Sequence, residues 1–298
     1  MRRLVLVVGS MASAMVLAYV ATVLEATPGV GKPRTVTLVG AGDIARCGFG
    51  GDGATAKLLG KISGTVFTLG DNAYPEGTSE QFRECYDPTW GKYKRRTKPA
   101  AGNHDYLTSE ARPYFDYFGR KAGKAGRGYY SYDRGSWHIV ALNSNCEEVG
   151  GCGARSRQVR WLRRDLRKHR VRCTLAYFHH PLFSSGEHGN VPMMRRFWRI
   201  LFRANADVVV NGHDHDYERF APQGPSGARR QKRGIREFVV GTGGAERRPF
   251  RAIKRHSQAR NARTSGVLKL KLSSGSYRWR FVPIAGRSYT DSGKDRCH

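Results

Sequence analysis

Short apolar segments alternate with segments of helical periodicity along most of this 298-residue chain. In residues 157–168, Val159, Leu162 and Leu166 recur on one face at helical spacing, which predicts a helix. Residues 35–39 are apolar and β-branched, which favours a strand. The same criteria predict helices at 54–62, 79–85 and 192–203. They predict strands at 65–69, just before 102, and at 129–133, 137–143, 173–178, 207–210, 237–240, 267–272 and 277–283. The alternation indicates an α/β fold.

Polar clusters follow five of the predicted strands, at the point where each strand ends. They read GAGDIA (40–45), GDNAY (70–74), GNHD (102–105), FHHP (178–181) and GHDHDYER (212–219). In open α/β sheets, ligands bind in the crevice beyond the carboxyl ends of the strands. If the strands share a sheet, we therefore expect the five clusters to converge on one site.

The side chains of these clusters offer oxygen and imidazole ligands, with no thiolate among them. Such a set suits zinc, iron or manganese. Two metals roughly 3.5–4 Å apart would need one bridging carboxylate, and they could hold both the attacking and the leaving oxygen of a phosphoryl transfer. The candidate ligands are Asp43, Asp71, Tyr74, Asn103, His179, His213 and His215.

The order of the motifs, GD, GDxxY, GNHD, HxP and GHxHxxER, resembles that of the calcineurin-like metallophosphoesterases and, within them, of the purple acid phosphatases. The first motif reads Asp43-Ile44-Ala45, so it lacks the histidine that most of the superfamily carries there. Tyr74 stands where purple acid phosphatases carry a tyrosinate ligand, three residues after Asp71. The segments GDNAYPEG and SSGEHG also resemble the small, single-domain enzymes of mammalian type.

This resemblance implies a metallophosphoesterase-type β-sandwich of two mixed sheets flanked by helices. It also implies a dinuclear metal site at the carboxyl ends of the strands. The implied ligands are Asp43, Tyr74 and His215 for a ferric ion, Asn103, His179 and His213 for a divalent ion of iron, zinc or manganese, and Asp71 as the bridge between the two.

The activity that the resemblance implies is hydrolysis of phosphate monoesters by a metal-bound hydroxide, as in acid phosphatases. His104 and His188 match family histidines that contact the substrate, and we expect Asp105 to orient His104. One alternative keeps the superfamily but makes the substrate a phosphodiester or a nucleotide pyrophosphate. Another is a non-catalytic secreted protein that binds phosphate or other anions. The chain has no G-x-S-x-G or P-loop motif, which argues against serine hydrolases and nucleotide-driven motors.

Residues 1–30 have the features of a signal peptide. Arg2 and Arg3 precede an apolar segment that ends at Leu24, and a small residue follows where cleavage would occur. The alternative is an uncleaved membrane anchor, because about 20 apolar residues can span a bilayer. Either interpretation places the predicted catalytic domain, residues 34–290, outside the cytoplasm, either secreted or anchored with its domain facing outside.

Six cysteines fit such an oxidising compartment. Cys146 and Cys152 are close in sequence, and Cys47 and Cys85 follow candidate site segments. Cys173 and Cys297 then remain as a third pair. Because six cysteines allow fifteen pairings, any one pairing is a hypothesis at this point. The pairing that we favour joins Cys146 to Cys152, Cys47 to Cys85 and Cys173 to Cys297.

The formal net charge is +28, from 52 basic and 24 acidic residues. One interpretation is a solvated basic surface, and the other is attraction to phosphate esters, nucleic acid or anionic polymers. No recognised nucleic-acid-binding motif occurs, and the aromatic residues are not interleaved with the basic segments. We therefore expect a small phosphate ester as substrate, with non-specific contacts to anionic polymers. Contact with a membrane is expected only if the amino-terminal segment stays uncleaved.

Overall fold

Two mixed β-sheets packed face to face form the framework of the protein. The computed structural model describes Met1 and residues 35–298, so the predicted signal segment, residues 1–30, lies outside the described residues apart from Met1. The strands of residues 35–298 are β1 (Val36–Ala41), β2 (Ala45–Arg46), β3 (Thr65–Thr68), β4 (Ala73–Tyr74), β5 (Thr97–Lys98), β6 (Tyr130–Arg134), β7 (Trp137–Ala141), β8 (Cys173–Tyr177), β9 (Val208–Asn211), β10 (Tyr217–Phe220), β11 (Arg236–Val240), β12 (Ser257–Asn261), β13 (Gly266–Ser273), β14 (Ser276–Pro283) and β15 (Ser292–Arg296).

Helices and single turns connect these strands. The α-helices are α1 (Gly51–Lys61), α2 (Ser79–Gln81), α3 (Arg112–Phe118), α4 (Arg157–Lys168) and α5 (Arg195–Arg203). A π-helical turn follows α2 at Phe82–Tyr86, and 3₁₀ turns lie at Trp90–Arg96, His104–Tyr106, Ser109–Ala111, Gly119–Ala122 and Pro192–Met194. Helix α4 begins at the cap residue Ser156, whose hydroxyl accepts a hydrogen bond from the backbone N–H of Val159 at 3.3 Å.

Each of the two sheets contains neighbouring strands that run parallel. One sheet has the order β15-β14-β13-β1-β3-β5, and β1 and β3 are parallel neighbours in it. The other has the order β12-β10-β11-β9-β8-β7-β6, and β7, β8, β9 and β11 run parallel. Every residue of β3, β7, β8, β9 and β11 is buried. Strands that are covered on both faces read as continuous apolar runs, which explains why the sequence predicted them.

The main core lies between the two sheets. Phe67 of β3 and Tyr177 of β8 meet there with ring centroids 5.8 Å apart. A second apolar cluster covers the other face of the seven-stranded sheet, where Leu162 of α4 and Trp198 of α5 pack with Val209 of β9. The predicted fold class, two mixed sheets with flanking helices, is confirmed.

The six cysteines form three disulfides, Cys47–Cys85, Cys146–Cys152 and Cys173–Cys297, which is the pairing favoured from the sequence. Of the helices within residues 35–298, none has the length and apolar character needed to cross a bilayer.

Several elements differ from the predicted pattern. The strand predicted before residue 102 is reduced to the two residues of β5, and the helix predicted at 79–85 is divided between α2 and the π-helical turn. Strands β12 and β15 were not predicted, because their sequences SQARN and SGKDR are polar and they lie at sheet edges with partly exposed side chains. Strand β15 lies beyond residue 290 and pairs with β14, and the domain bounds 34–290 stay a prediction.

Candidate metal centre

Two buried aspartates lie side by side where neighbouring parallel strands end. Asp43 follows β1 and Asp71 follows β3, and both adopt left-handed backbone conformations, with φ of 59° and 50°. Aspartate tolerates this conformation better than most residues. The two turns are hydrogen-bonded to each other, since Asp43 N donates to Gly70 O at 3.1 Å and Ile44 N donates to Asp71 O at 2.9 Å. These backbone hydrogen bonds therefore hold the two carboxylates next to each other.

A first group of donor atoms surrounds the hydroxyl of Tyr74 in β4. This oxygen lies 2.9 Å from Asp43 Oδ1, 2.9 Å from Asp71 Oδ2 and 3.1 Å from His215 Nε2. The distance from His215 Nε2 to Asp43 Oδ1 is 3.4 Å. All four side chains are buried. This first donor group thus combines one phenol, two carboxylates and one imidazole.

A second donor group lies next to the first. Asn103 Oδ1 is 2.9 Å from His179 Nε2 and 3.1 Å from His213 Nδ1, and the two imidazole nitrogens are 3.2 Å apart. Asp71 Oδ2, a member of the first group, is 3.4 Å from His179 Nε2. One carboxylate oxygen therefore adjoins both groups.

Backbone carbonyls fix the orientation of two of these imidazoles. His179 Nδ1 donates to Leu69 O at 2.7 Å, and His215 Nδ1 donates to Glu246 O at 2.8 Å. With Nδ1 held by a carbonyl, each ring directs its Nε2 towards the donor group. Histidines that bind metals in proteins are held by hydrogen bonds of this kind.

The charges of the two groups shift their pKa values. Burial would raise the pKa of Asp71, but the positive charge and hydrogen bond of His179, together with His104, lower it well below its usual range. Burial would lower the pKa of His179, but the charge of Asp71 raises it to about 9. Burial and the charges of Asp43 and Asp71 raise the pKa of Tyr74 well above its usual value.

These residues fit a pair of metal ions by the chemistry of their donor atoms. Oxygen and imidazole donors suit zinc, iron or manganese. Asp43, Asp71 and His179 place one ligand atom each within 4.8 Å of one another, and His179, His180 and His213 form a second such set. These two sets share His179, and Asp71 Oδ2 adjoins both donor groups, which fits a dinuclear centre.

The comparison of the sequence with known families agrees with this geometry. A family profile described as calcineurin-like phosphoesterase matches residues 36–217. The chain belongs to the calcineurin-like phosphoesterases.

Within this family, the curated relatives of the chain are plant purple acid phosphatases. It is 27% identical to probable purple acid phosphatase 20 of Arabidopsis thaliana over 195 residues, which are 56% of this chain and 43% of that protein. It is 28% identical to purple acid phosphatase 21 of the same plant over 199 residues, which are 57% of this chain and 45% of that protein. The chain thus spans less than half the length of these relatives, and the resemblance to the small enzymes of mammalian type stays a prediction.

Solved structures of this phosphoesterase fold cover most of the chain. Purple acid phosphatase PPD1 of yellow lupin, Lupinus luteus, superposes with a TM-score of 0.70 over 89% of this chain and 54% of that one, at 18% identity. GAP50, described as the anchor in the inner membrane complex of Plasmodium, superposes with a TM-score of 0.69 over 89% of both chains, at 13% identity. At these identities the likeness shows the fold alone. Purple acid phosphatases use a dinuclear metal site, and the two donor groups are candidate ligand sets for one.

The two histidines predicted to contact substrate both border the donor groups of this phosphoesterase. His104 donates from Nδ1 to Pro75 O at 2.5 Å, and its Nε2 lies 4.0 Å from Asp71 Oδ2. His188 is exposed, and its ring stacks on that of His213 with centroids 4.4 Å apart. Solvent reaches both side chains, so they form the rim of the site.

Asp105 has different partners from the one that we expected. Its carboxylate accepts hydrogen bonds from Gly102 N at 2.8 Å and from Asn72 Nδ2 at 2.9 Å, whereas the His104 ring is bonded to the Pro75 carbonyl. The role of Asp105 in orienting His104 therefore stays a prediction, and no direct hydrogen bond between the two side chains supports it within residues 35–298. Burial and the charge of Asp71 raise the pKa of Asp105 to about 7. Asp105 ties together the turns that carry Asp71 and Asn103.

Three further residues adjoin the site beside the candidates named from the sequence. Asp214, between the paired histidines, accepts hydrogen bonds from His188 N at 2.7 Å and Gly189 N at 3.2 Å, so it holds the loop that carries His188. Arg248 donates to His188 Nε2 at 3.1 Å. His180 lies 4.5 Å from His213, ring centroid to centroid, and burial lowers its pKa to about 3. The second histidine of FHHP was a visible signal for His180, whereas Arg248 lies in a basic segment that carries no motif.

Proposed function

We propose that this chain hydrolyses phosphate monoesters at a dinuclear metal site. The observation that supports this most directly is the sharing of one carboxylate oxygen between two donor groups. Asp71 Oδ2 lies 2.9 Å from the Tyr74 hydroxyl of one group and 3.4 Å from His179 Nε2 of the other. A bridging carboxylate is what two closely spaced metals need, and such pairs catalyse in-line displacement at phosphorus.

In this proposal each donor group holds one ion. The phenol and carboxylates of the first group suit a ferric ion, because hard oxygen donors favour a hard, highly charged metal. The second group, with two imidazoles and an amide oxygen, would hold divalent iron, zinc or manganese. The proposed ligands are Asp43, Tyr74 and His215 for the first ion, Asn103, His179 and His213 for the second, and Asp71 for both. Bound there, the ions would lower the pKa of water towards 7 and offset charge on the phosphate.

The rim histidines would bind the substrate. Because Arg248 donates to Nε2 of His188, the proton of that ring sits on Nδ1, where it would donate a hydrogen bond to a phosphate oxygen. His104, fixed by the carbonyl of Pro75, directs Nε2 towards Asp71 and the space between the donor groups. Two imidazoles beside the ligand sets would stabilise charge as the ester bond breaks.

The cellular location is also part of the proposal. Three disulfides link residues of the catalytic unit, and disulfides persist in oxidising compartments outside the cytoplasm. We therefore propose that residues 34–290 act outside the cytoplasm, as a secreted or outward-facing domain.

One kind of alternative acts on a different substrate, and the other binds a ligand without turnover. A phosphodiesterase or a nucleotide pyrophosphatase would use the same metal ligands with different surrounding loops. A binding protein would use the fold without catalysis, and the fold neighbour GAP50 is described as an anchor. The net charge of +28 would serve such a protein equally well.

The test is turnover of a chromogenic phosphate monoester by the purified, metal-loaded protein and by a His213→Ala variant. Loss of one ligand should lower kcat/KM by at least about 100-fold, because even changes to groups that support a ligand cost about 10–100-fold. His169→Ala is the control, because His169 lies at the end of α4, outside the donor groups. The activity of this variant should equal that of the wild type.

Three results would each contradict part of the proposal. Equal activity in the wild type and His213→Ala would show that the site does not catalyse the reaction. Faster turnover of a chromogenic diester than of the monoester would favour the phosphodiesterase. Metal binding without turnover of either ester would favour the binding protein.

A further inference from the structure

Helix α5 carries a row of arginines on its outer side. Its sequence, RRFWRILFR, contains no acidic residue. Arg195, Arg199 and Arg203 follow one another at four-residue spacing, so they share a face opposite the buried Trp198 and Leu201. With a rise of 1.5 Å per residue, successive members are about 6 Å apart and the row is about 12 Å long.

The row is not neutralised within the described part of the chain. Like charges four residues apart destabilise a helix, so such a row is normally interrupted by glutamate or aspartate. Within residues 35–298, the arginines that form ion pairs are Arg46, Arg83, Arg112, Arg219, Arg236, Arg248 and Arg251, and the row is absent from this set. The three guanidinium groups are thus available to a ligand.

The row also borders a series of three neighbouring cavities. Arg195 and Arg199 border a cavity of about 630 Å³ beside the Cys146–Cys152 loop. Both also border the next cavity, of about 290 Å³, together with Arg203. Arg203 then borders a third cavity, of about 700 Å³. We call these three cavities, which are linked by the arginines that they share, the arginine groove.

The far cavity adds cations from the end of α4 and the segment that follows it. Its further basic lining residues are Arg163, Arg167, His169, Arg170, Arg172 and His298. Among the residues that line the whole groove, Glu147 is the one carboxylate. Charge of one sign, distributed along a groove longer than a single phosphate, favours an extended polyanion over a small anion.

The character of the lining argues against nucleic acid as this polyanion. Proteins that bind single strands stack the bases on exposed aromatic side chains. Among residues 35–298, the one phenylalanine, tyrosine or tryptophan that lines the groove is Phe202, which is partly buried against the core, and the exposed Phe49 does not line it. Guanidinium groups instead match phosphate oxygens through paired hydrogen bonds.

We propose that the arginine groove binds a linear chain of linked phosphate groups without bases, lying lengthwise along α5. The far end of the groove is remote from the metal centre. The far cavity is bordered by Arg172 and Thr174 at the start of β8, whereas His179 follows the end of that strand. Five residues of strand separate the two ends by about 17 Å.

The experiment measures binding of fluorescently labelled, long-chain inorganic polyphosphate to the full chain by anisotropy, over a series of salt concentrations. The test variant is Arg195→Gln/Arg199→Gln/Arg203→Gln. Loss of three phosphate contacts should weaken binding by at least about 10-fold and reduce the slope of log K against log salt by about 2, since each contact contributes about 0.7 on a single strand. Turnover of a small phosphate monoester should be unchanged, which separates this result from the proposed catalytic function.

The matched control removes three charges from another basic cavity, on β13 and β14, as Lys269→Gln/Lys271→Gln/Arg278→Gln. It should bind polyphosphate within about 2-fold of the wild type. A second variant on the opposite wall, Arg163→Gln/Arg167→Gln/Arg170→Gln, should reproduce the loss even if the first variant folds poorly. Equal weakening in the control would overturn the proposal, because binding would then follow net charge alone. Tighter binding of single-stranded DNA than of polyphosphate of equal charge would also overturn it and make nucleic acid the ligand.

Discussion

Replacing Gly102 with alanine should disrupt the metal centre while the fold persists. Gly102 precedes Asn103 and packs against the turn that carries Asp71. A Cβ at this position would lie 2.1 Å from Asp71 Oδ1 and 2.3 Å from Asp71 N. Because real Cβ contacts are essentially never closer than 3.0 Å, Asp71 or Asn103 has to move by about 1 Å.

The size of the effect follows from the position of Asp71 between the two donor groups. A shift of about 1 Å in a catalytic constellation costs about 100-fold in rate. Overpacking of this kind destabilises a protein by about 1–3 kcal/mol, which a domain of this size can tolerate. We therefore expect a folded variant whose kcat/KM for a phosphate monoester is about 100-fold lower and which retains less metal.

Gly53→Ala is the matched control. Gly53 lies in α1, and the nearest atom to an added Cβ is Thr89 Cγ2 at 3.9 Å. Alanine inside a helix should raise stability by about 0.5–1 kcal/mol and leave activity unchanged. The assay combines kcat/KM, metal content per chain and the midpoint of thermal unfolding. A folded Gly102→Ala protein with wild-type activity and metal content would refute the reasoning.

Two further predictions concern Tyr74 and Asp207. Tyr74→Phe should abolish the visible absorption of the iron-reconstituted protein, which we attribute to contact between the phenol oxygen and iron. Tyr114→Phe, whose hydroxyl is buried without a hydrogen-bond partner among the described residues, should keep the absorption, and a coloured Tyr74→Phe protein would contradict the assignment. Burial raises the pKa of Asp207 from 3.8 to about 6, so the folded state binds this proton more tightly than the unfolded chain and stability falls as pH rises from about 4 to about 6. The free energy of unfolding of Asp207→Asn, measured with urea, should fall less over that pH range than that of the wild type. An equal fall in both proteins would contradict the prediction.

The sequence predicted the parallel strands and the residues that follow them for one physical reason. Strands such as β8 and β9 are buried on both faces, so their apolar runs are unbroken, and the polar residue that ends each run is conspicuous. His179 and Asn211 are examples. The edge strands carry no comparable signal, because polar side chains are as compatible with an exposed strand as they are with a loop.

The side-chain contacts around the site could not be predicted in the same way. They depend on which loops pack together in the fold, and the local sequence does not contain that information. Asp105 adjoins His104 in sequence, yet its carboxylate bonds to Asn72 because the two turns are packed together. Arg248 contacts His188 across a separation of 60 residues, within one of several basic segments. The favoured disulfide pairing was confirmed by the structure, but the sequence alone left fifteen pairings open.

Each donor group joins residues before position 104 to histidines after position 178, and this separation has a consequence for biosynthesis. Asp43 and Tyr74 leave the ribosome long before His215, and Asn103 leaves long before His213. Neither group is complete until the seven-stranded sheet has formed and packed on the other, where the His179 ring bonds to the carbonyl of Leu69. A nascent or partly folded chain therefore offers no complete set of ligands. The ions of the proposed dinuclear centre would thus be acquired by the folded protein, and its metal content would reflect the compartment in which folding ends.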